Sequence, residues 1–186
     1  RHAFQLAWAS PETTVRDIFE RFKPDALREK TLGSQVNVAE LLAMRGDAVR
    51  GSRLFTPEGK GASCLACHFV QGQGRHFGPD LTKIGAQQSA AQILESILHP
   101  SKLIAPEYRA TIVELRDGSS QMGFVSRRDS RDVILKIPSG DSVSLKVADI
   151  AAEKSMPQSL MPEGQLMGFT AQEAADLIAY LGSLGR

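Results

Sequence analysis

Long apolar runs are missing from this sequence: none approaches the roughly 18 residues that a membrane-spanning helix requires. Its first residues, RHAFQLAWAS, also lack the charged, apolar and small-residue order of a signal peptide. We therefore expect a soluble chain with no membrane span in it. Because the chain begins at Arg1 without an initiator Met, we expect a processed product or a part of a longer polypeptide.

A strong net charge is missing as well, since 22 Lys and Arg residues face 21 Asp and Glu residues. No overall field therefore steers the chain toward nucleic acid or an anionic membrane. The hydrophobic content of 42% and the charged content of 23% are ordinary for a globular protein with a packed core. At 186 residues, the chain has room for one sizeable domain or two small ones.

Helical spacing dominates both ends of the chain. It predicts helices over residues 11–22, where Ser10 supplies a cap, over 38–44, and from Asp47 onward. Another helix is expected over residues 89–100, with Ser89 as its cap and Pro100 as its stop. Thr170 and Glu173 form a capping box at the start of a last helix.

Residues 108–147 have a different pattern, with short β-branched segments joined by DG and SGD turns. They predict an antiparallel meander of about four strands. The loop QGQGRHFGPD, before the helix at 89–100, contains too many chain breakers for either helix or strand. The fold class expected is therefore mostly α with a small inserted antiparallel β-meander, an α+β arrangement.

Cysteine is scarce: Cys64 and Cys67 are the two in the chain, and both lie in CLACH with His68. A zinc site needs four ligands, yet there is no second Cys pair and the other histidines, His2, His76 and His99, are scattered. A thioredoxin-like dithiol requires a strand-to-helix junction in a βαβ unit, and no parallel-sheet pattern precedes this motif. Both interpretations are weakly supported.

Two interpretations of CLACH remain. A structural disulfide between Cys64 and Cys67 suits an oxidising compartment but leaves the adjacent His68 unexplained. Covalent attachment of one haem c uses all three residues, because the two cysteines form thioethers and the imidazole reaches the iron. The motif therefore favours haem attachment.

Residues 46–104 and 151–186 resemble a class I c-type cytochrome. The resemblance rests on GDAVRGSRLF before the motif, on CLACH, on FGPDL, on a Met-Pro step and on a final helix ending in LIAYL. It implies that the first and last helices cross at a small residue beside aromatic side chains, at the positions of Gly51, Phe55, Leu177 and Tyr180. It also implies that the Pro79 carbonyl accepts a hydrogen bond from His68, the proximal iron ligand.

The same resemblance implies a distal iron ligand in a Met-Pro step about 18 or 19 residues before the tyrosine of the last helix. Met161 lies 19 residues before Tyr180 and is the expected ligand. Met156, 24 residues before Tyr180, is the second choice. His76 and His99 are further alternatives that we expect at the surface. Arg75, Lys83 and Arg109 are candidates for pairing with the haem propionates.

Patterns through most of residues 11–184 resemble the C-terminal haem-binding domain of large planctomycete and verrucomicrobial proteins; they include VRDIFERF, GPDLTKIG, ILESILHPS and SLMPEG. The expected organisation is a helical extension at 1–45 and a cytochrome c domain at 46–186, with 105–150 as a β-rich insertion. The insertion's strand order also resembles a small Sm-like barrel, although the balanced charge and the lack of an aromatic platform argue against nucleic acid. We expect it to be structural cover rather than a docking surface.

These inferences predict a monohaem electron-transfer domain with His68 and Met161 as axial ligands, and not an enzyme in itself. Its partners would be a redox protein or adjoining domains of a larger polypeptide, in the periplasm or another extracytoplasmic compartment. The alternative is a haem sensor, or a domain that reacts with gas or peroxide, with an open or labile sixth position.

Overall fold

The computed structural model describes residues 2–56 and 64–186. Arg1, where the chain begins, and Ser63, directly before the cysteine motif, lie outside the described residues. The chain folds as two compact units, residues 1–31 and residues 32–186.

The first unit is a pair of short helices, α1 (His2–Trp8) and α2 (Thr13–Glu20), followed by a 3₁₀ turn over Asp25–Leu27. Phe4 lies against Trp8, Phe19 and Phe22 with ring centroids 5.6–5.9 Å apart. The Trp8 indole donates a hydrogen bond of 2.9 Å to the Phe19 carbonyl. Helix α2 begins later than predicted, and Glu12, not Ser10, occupies its N-cap position. The Ser10 hydroxyl accepts from the Glu12 amide, in the turn before the helix.

The second unit has a helical core formed by α3 (Val38–Ala43), α4 (Ala48–Leu54), α5 (Ile84–Gln87), α6 (Ala90–Leu98) and α7 (Ala171–Ser183). The predicted capping box is present at α7, between Thr170 and Glu173, and Ser89, the predicted cap of α6, forms a capping box with Gln92. Each box satisfies amide donors that the first helical turn leaves unpaired. Local sequence therefore sets where these two helices begin.

Helices α4 and α7 cross in close backbone contact. A Cβ atom added at Gly51 would lie 1.9 Å from the Asp176 carbonyl oxygen, and one at Gly46 would lie 2.1 Å from that of Ala175. Phe55 packs edge-on against Tyr180 with centroids 5.5 Å apart, and Leu177 is buried beside them. The predicted crossing at a small residue is thus present, because glycine alone permits this approach.

Residues 110–155 form an antiparallel sheet of β3 (Ala110–Leu115), β4 (Ser120–Arg128), β5 (Asp132–Lys136), β6 (Ser142–Lys146) and β7 (Ile150–Ser155), in the order β6-β5-β4-β3-β7. The combination of helices with an antiparallel sheet is confirmed, but the prediction of four strands was short by one. Strand β7 was missed because its side chains are mostly exposed. Backbone pairing with β3, rather than an apolar pattern, holds it in the sheet.

The sheet is strongly curved. Strands β6 and β7 lie at its two edges, although a single 3₁₀ turn, Val147–Asp149, joins them. The edges must therefore approach each other, and register shifts at Glu114/Leu115 and Val125/Arg127 provide local bends. Val113, Val133, Leu135 and Leu145 fill the interior of this curved sheet.

A small hairpin follows the cysteine motif, formed by β1 (Phe69–Val70) and β2 (Gln73–Gly74). The prediction that this loop holds no strand was therefore wrong at β2. The turn between the strands has φ angles of 46° at Gln71 and 89° at Gly72, which suits a tight hairpin turn. The glycines thus allow the hairpin instead of preventing it.

Candidate functional site

The cysteine motif is wound into a single helical turn. A 3₁₀ segment covers Cys64–Ala66, and the Cys67 and His68 amides both donate to the Cys64 carbonyl, over 3.1 and 2.8 Å. Residues three and four positions apart lie on one face of a helical turn. Two thiols and one imidazole are therefore presented on the same side.

The two cysteines differ in exposure, and neither is part of a disulfide. Cys67 is exposed, whereas Cys64 is half-buried. Burial raises the pKa of the Cys64 thiol to about 11. At neutral pH this side chain is consequently a protonated thiol with low intrinsic reactivity.

The imidazole of His68 is anchored by the loop that follows it. Its Nδ1 atom lies 2.9 Å from the Pro79 carbonyl oxygen. A carbonyl can only accept, so Nδ1 carries the proton and the lone pair is left on Nε2. Burial lowers the pKa of His68, and the hydrogen bond to Pro79 offsets part of this effect. The neutral form that can ligate a metal is thereby favoured.

Glycines bring this loop close to the motif. A Cβ atom at Gly78 would lie 2.8 Å from His68 Cε1, and one at Gly74 would lie 2.1 Å from the His68 carbonyl oxygen. The Gly78 amide donates to the Cys67 carbonyl over 2.6 Å, and the Arg75 amide donates to that of His68 over 3.2 Å. The backbone therefore encloses the imidazole on the side of Nδ1.

Met161 lies half-buried in the segment between β7 and α7. Its amide donates to the Ser159 hydroxyl over 3.1 Å, and the Ser159 amide donates to the Ser101 hydroxyl over 3.1 Å. The backbone at Met161 is thus fixed through Ser159 to the loop after α6.

The other methionines occupy different surroundings. The Met156 amide donates to the Ala110 carbonyl at the end of the sheet, and its side chain packs against the cluster of Phe77, Ala110 and Phe124. Met44 packs against the helical core, whereas Met122 and Met167 are exposed by 36% and 47%. Met156 therefore belongs to the apolar cluster at the end of the sheet.

The remaining candidate residues are two other histidines and the three basic residues considered for the propionates. His76 is exposed and stacks on Phe69 with centroids 4.0 Å apart, and His99 is exposed at the end of α6. The Arg75 guanidinium donates to the Ser139 carbonyl in the β5–β6 turn over 2.9 Å. Lys83 precedes α5 and Arg109 is exposed before β3. Pairing of these basic residues with propionates stays a prediction.

A buried carboxylate that the sequence analysis did not identify supports the helix crossing. Asp176 is 2% exposed and accepts from the Asp47 amide, from Gln172 and from Nε and Nη2 of Arg50, over 2.7–2.9 Å. Burial acts to raise the pKa of Asp176, but these hydrogen bonds outweigh it and the pKa is lowered. An acidic residue inside the apolar run AADLIAYL was the signal that could have revealed it.

The geometry fits covalently attached haem c better than a zinc site. Within residues 2–56 and 64–186, no three His, Cys, Asp or Glu side chains are grouped so that they could hold a metal ion. Haem attachment does not require four grouped protein ligands, since two thiols form thioethers and one imidazole ligates iron. The shared face of Cys64, Cys67 and His68 and the anchored Nδ1 atom of His68 meet these requirements.

A helical core with such a motif on a single turn resembles the arrangement of a class I c-type cytochrome. A sequence model of the family described as cytochrome c matches residues 48–135. A protein described as cytochrome c-553-like, from Synechocystis sp., is 29% identical over 80 residues, which cover 43% of this chain and 70% of that protein. Both matches support a c-type cytochrome core, a class that carries haem c and transfers electrons. The family match ends before Met161. Among the described helices, none is both long and apolar enough to cross a bilayer.

Proposed function

We propose that this chain is a monohaem electron-transfer domain that holds haem c through Cys64 and Cys67, with His68 and Met161 as the axial ligands. One observation carries the proposal: the His68 imidazole is fixed by the Pro79 carbonyl on the same helical turn that presents both thiols. When bound, haem c supplies a one-electron couple between ferrous and ferric iron.

The residues of the chain have separate tasks. Cys64 and Cys67 tether the cofactor, and Pro79 orients His68 and strengthens its donation to a metal. Met161 supplies a thioether, a ligand that raises the reduction potential and closes the sixth position to oxygen and peroxide. The domain then needs no substrate-transforming residue of its own. Its partners are a redox protein or adjoining domains, in an extracytoplasmic compartment.

The assignment of Met161 is tested by the absorption spectrum of the ferric protein, produced with cytochrome c maturation machinery. We expect a near-infrared band from the thioether-to-iron bond. Met161→Ala removes this band, whereas Met167→Ala, the matched control at an exposed methionine, leaves it in place. Loss of the band in Met156→Ala but not in Met161→Ala would transfer the role to Met156.

The same samples distinguish electron transfer from sensing when they are measured first as ferric protein and then after chemical reduction to the ferrous state, the state that binds carbon monoxide. A protein with two side-chain ligands is low-spin and, once reduced, binds carbon monoxide slowly, because Met161 must first leave the iron. A high-spin ferric spectrum, or rapid carbon monoxide uptake by the unmutated protein, would instead support a sensor or a gas-reactive domain.

A further inference from the structure

The inserted sheet contacts the loop that anchors His68. Phe124 on β4 is 6% exposed and stacks on Phe77, with centroids 4.7 Å apart and an interplanar angle of 25°. Tyr108 packs edge-on against Phe124 at 5.6 Å. Phe77 directly precedes Gly78, which touches the His68 ring, and Pro79, whose carbonyl holds Nδ1. The stack therefore bears on the segment that orients the imidazole.

The same aromatic cluster contacts the segment that contains Met161. Met156 and Leu160 pack against the cluster that Phe77, Ala110 and Phe124 form. Leu160 is the residue directly before Met161, and the Met156 amide is bonded to the Ala110 carbonyl over 2.8 Å. The aromatic cluster at the sheet therefore contacts both the loop that anchors His68 and the segment that contains Met161.

A second attachment lies at the far end of the hairpin loop. The Arg75 guanidinium reaches the Ser139 carbonyl in the turn between β5 and β6. The Arg75 amide is itself bonded to the His68 carbonyl. The sheet therefore holds the loop after His68 at two separated points, the Phe77 ring and the Arg75 side chain.

We infer that the inserted sheet is a positioning device for both axial ligands, and that Phe124 is its central positioning residue. Through Phe77 it fixes the Pro79 carbonyl on His68, and through Leu160 it limits the freedom of Met161. This inference rests on the proposed function. A weak thioether bond to iron is lost more easily when its segment can move, so loosening the cluster favours competing ligands.

The test compares Phe124→Leu with Val133→Ala in the protein that carries haem. Val133 is fully buried in the separate apolar cluster inside the sheet and serves as the matched control. The apparent association constant of imidazole with the ferric protein reports how easily Met161 is displaced. We expect Phe124→Leu to raise it about threefold to tenfold, the size of one lost aromatic pair. Val133→Ala lowers the stability of the sheet but leaves imidazole binding unchanged.

The proximal effect has its own measurement. In the Met161→Ala background, ferrous protein reports the iron–histidine stretch by resonance Raman spectroscopy. We expect an added Phe124→Leu substitution to shift this frequency, and an added Val133→Ala substitution to leave it unchanged. Leu160→Ala trims a partly buried side chain and gives the distal measurement again if Phe124→Leu does not fold.

The outcomes separate the inference from the proposed function. If Phe124→Leu binds imidazole as the unmutated protein does, while the Met161-dependent band is present, the inference is overturned and the proposed function stands. The same conclusion follows if Phe124→Leu and Val133→Ala behave alike. If the unmutated protein lacks the Met161-dependent band, the proposed function fails and the inference fails with it.

Discussion

Replacing Gly51 by alanine tests the crossing of α4 and α7. The added Cβ atom would lie 1.9 Å from the Asp176 carbonyl oxygen, 2.5 Å from its carbon and 2.8 Å from Tyr180 Cβ. Two of these atoms belong to the backbone of the opposite helix, so relief requires the helices to separate. Overpacking of this kind costs about 1–3 kcal/mol or more, while alanine returns only about 0.5–1 kcal/mol of helix propensity. We expect a net loss of about 2 kcal/mol.

Gly182→Ala is the matched control, because a Cβ atom at Gly182 in α7 has no atom within 4 Å outside its immediate surroundings. Helix propensity alone then predicts a gain of about 0.5–1 kcal/mol. Both variants are measured by denaturant unfolding of the protein with haem, and a change in midpoint at constant slope reports stability. A Gly51→Ala protein as stable as the unmutated one would refute the close crossing.

Three further predictions concern the buried carboxylate, the proximal loop and the distal segment. Because the pKa of Asp176 is lowered, its carboxylate stabilises the fold above the ordinary carboxyl pKa, and this contribution is lost as pH falls through the lowered value. Asp176→Asn should therefore lower the free energy of unfolding by about 2 kcal/mol near neutral pH. It should also weaken the fall of that free energy at acidic pH, and an unchanged fall would contradict this. Gly78→Ala, whose Cβ atom would lie 2.8 Å from His68 Cε1, should shift the reduction potential, whereas Gly168→Ala, with no atom within 4 Å, should not. Ser159→Ala removes the acceptor of the Met161 amide. It should raise the association constant of imidazole with the ferric protein about fivefold, the size of one hydrogen bond. An unchanged constant would show that Ser159 does not hold this segment.

Local signals in the sequence sufficed for several helices. The capping boxes at Ser89 and Thr170 specify helix starts with residues three positions apart, so no tertiary information is needed. The short β-branched segments between residues 108 and 147 likewise predicted strands that the structure contains, among them β5. Interactions between residues this close along the chain can be identified from the sequence alone.

Features that depend on distant contacts were not predictable in the same way. Strand β7 is exposed along most of its length and exists because β3 offers its edge. The stack of Phe77 on Phe124 joins residues 47 positions apart, and the bond from Arg75 to Ser139 joins residues 64 positions apart. No periodicity in the chain specifies either pair. The expectation that the insertion is structural cover stays a prediction. The cluster around Phe124 makes it more specific, because we infer that this cluster positions the segments that contain His68 and Met161.

The central claim is that one haem is covalently attached at CLACH. Intact mass measured under denaturing conditions tests it most directly, on protein produced with cytochrome c maturation machinery. We predict that the unmutated chain is heavier than its sequence by one haem, and that the Cys64→Ala, Cys67→Ala double variant has the mass of the chain alone. An unmutated chain without added mass would contradict the account.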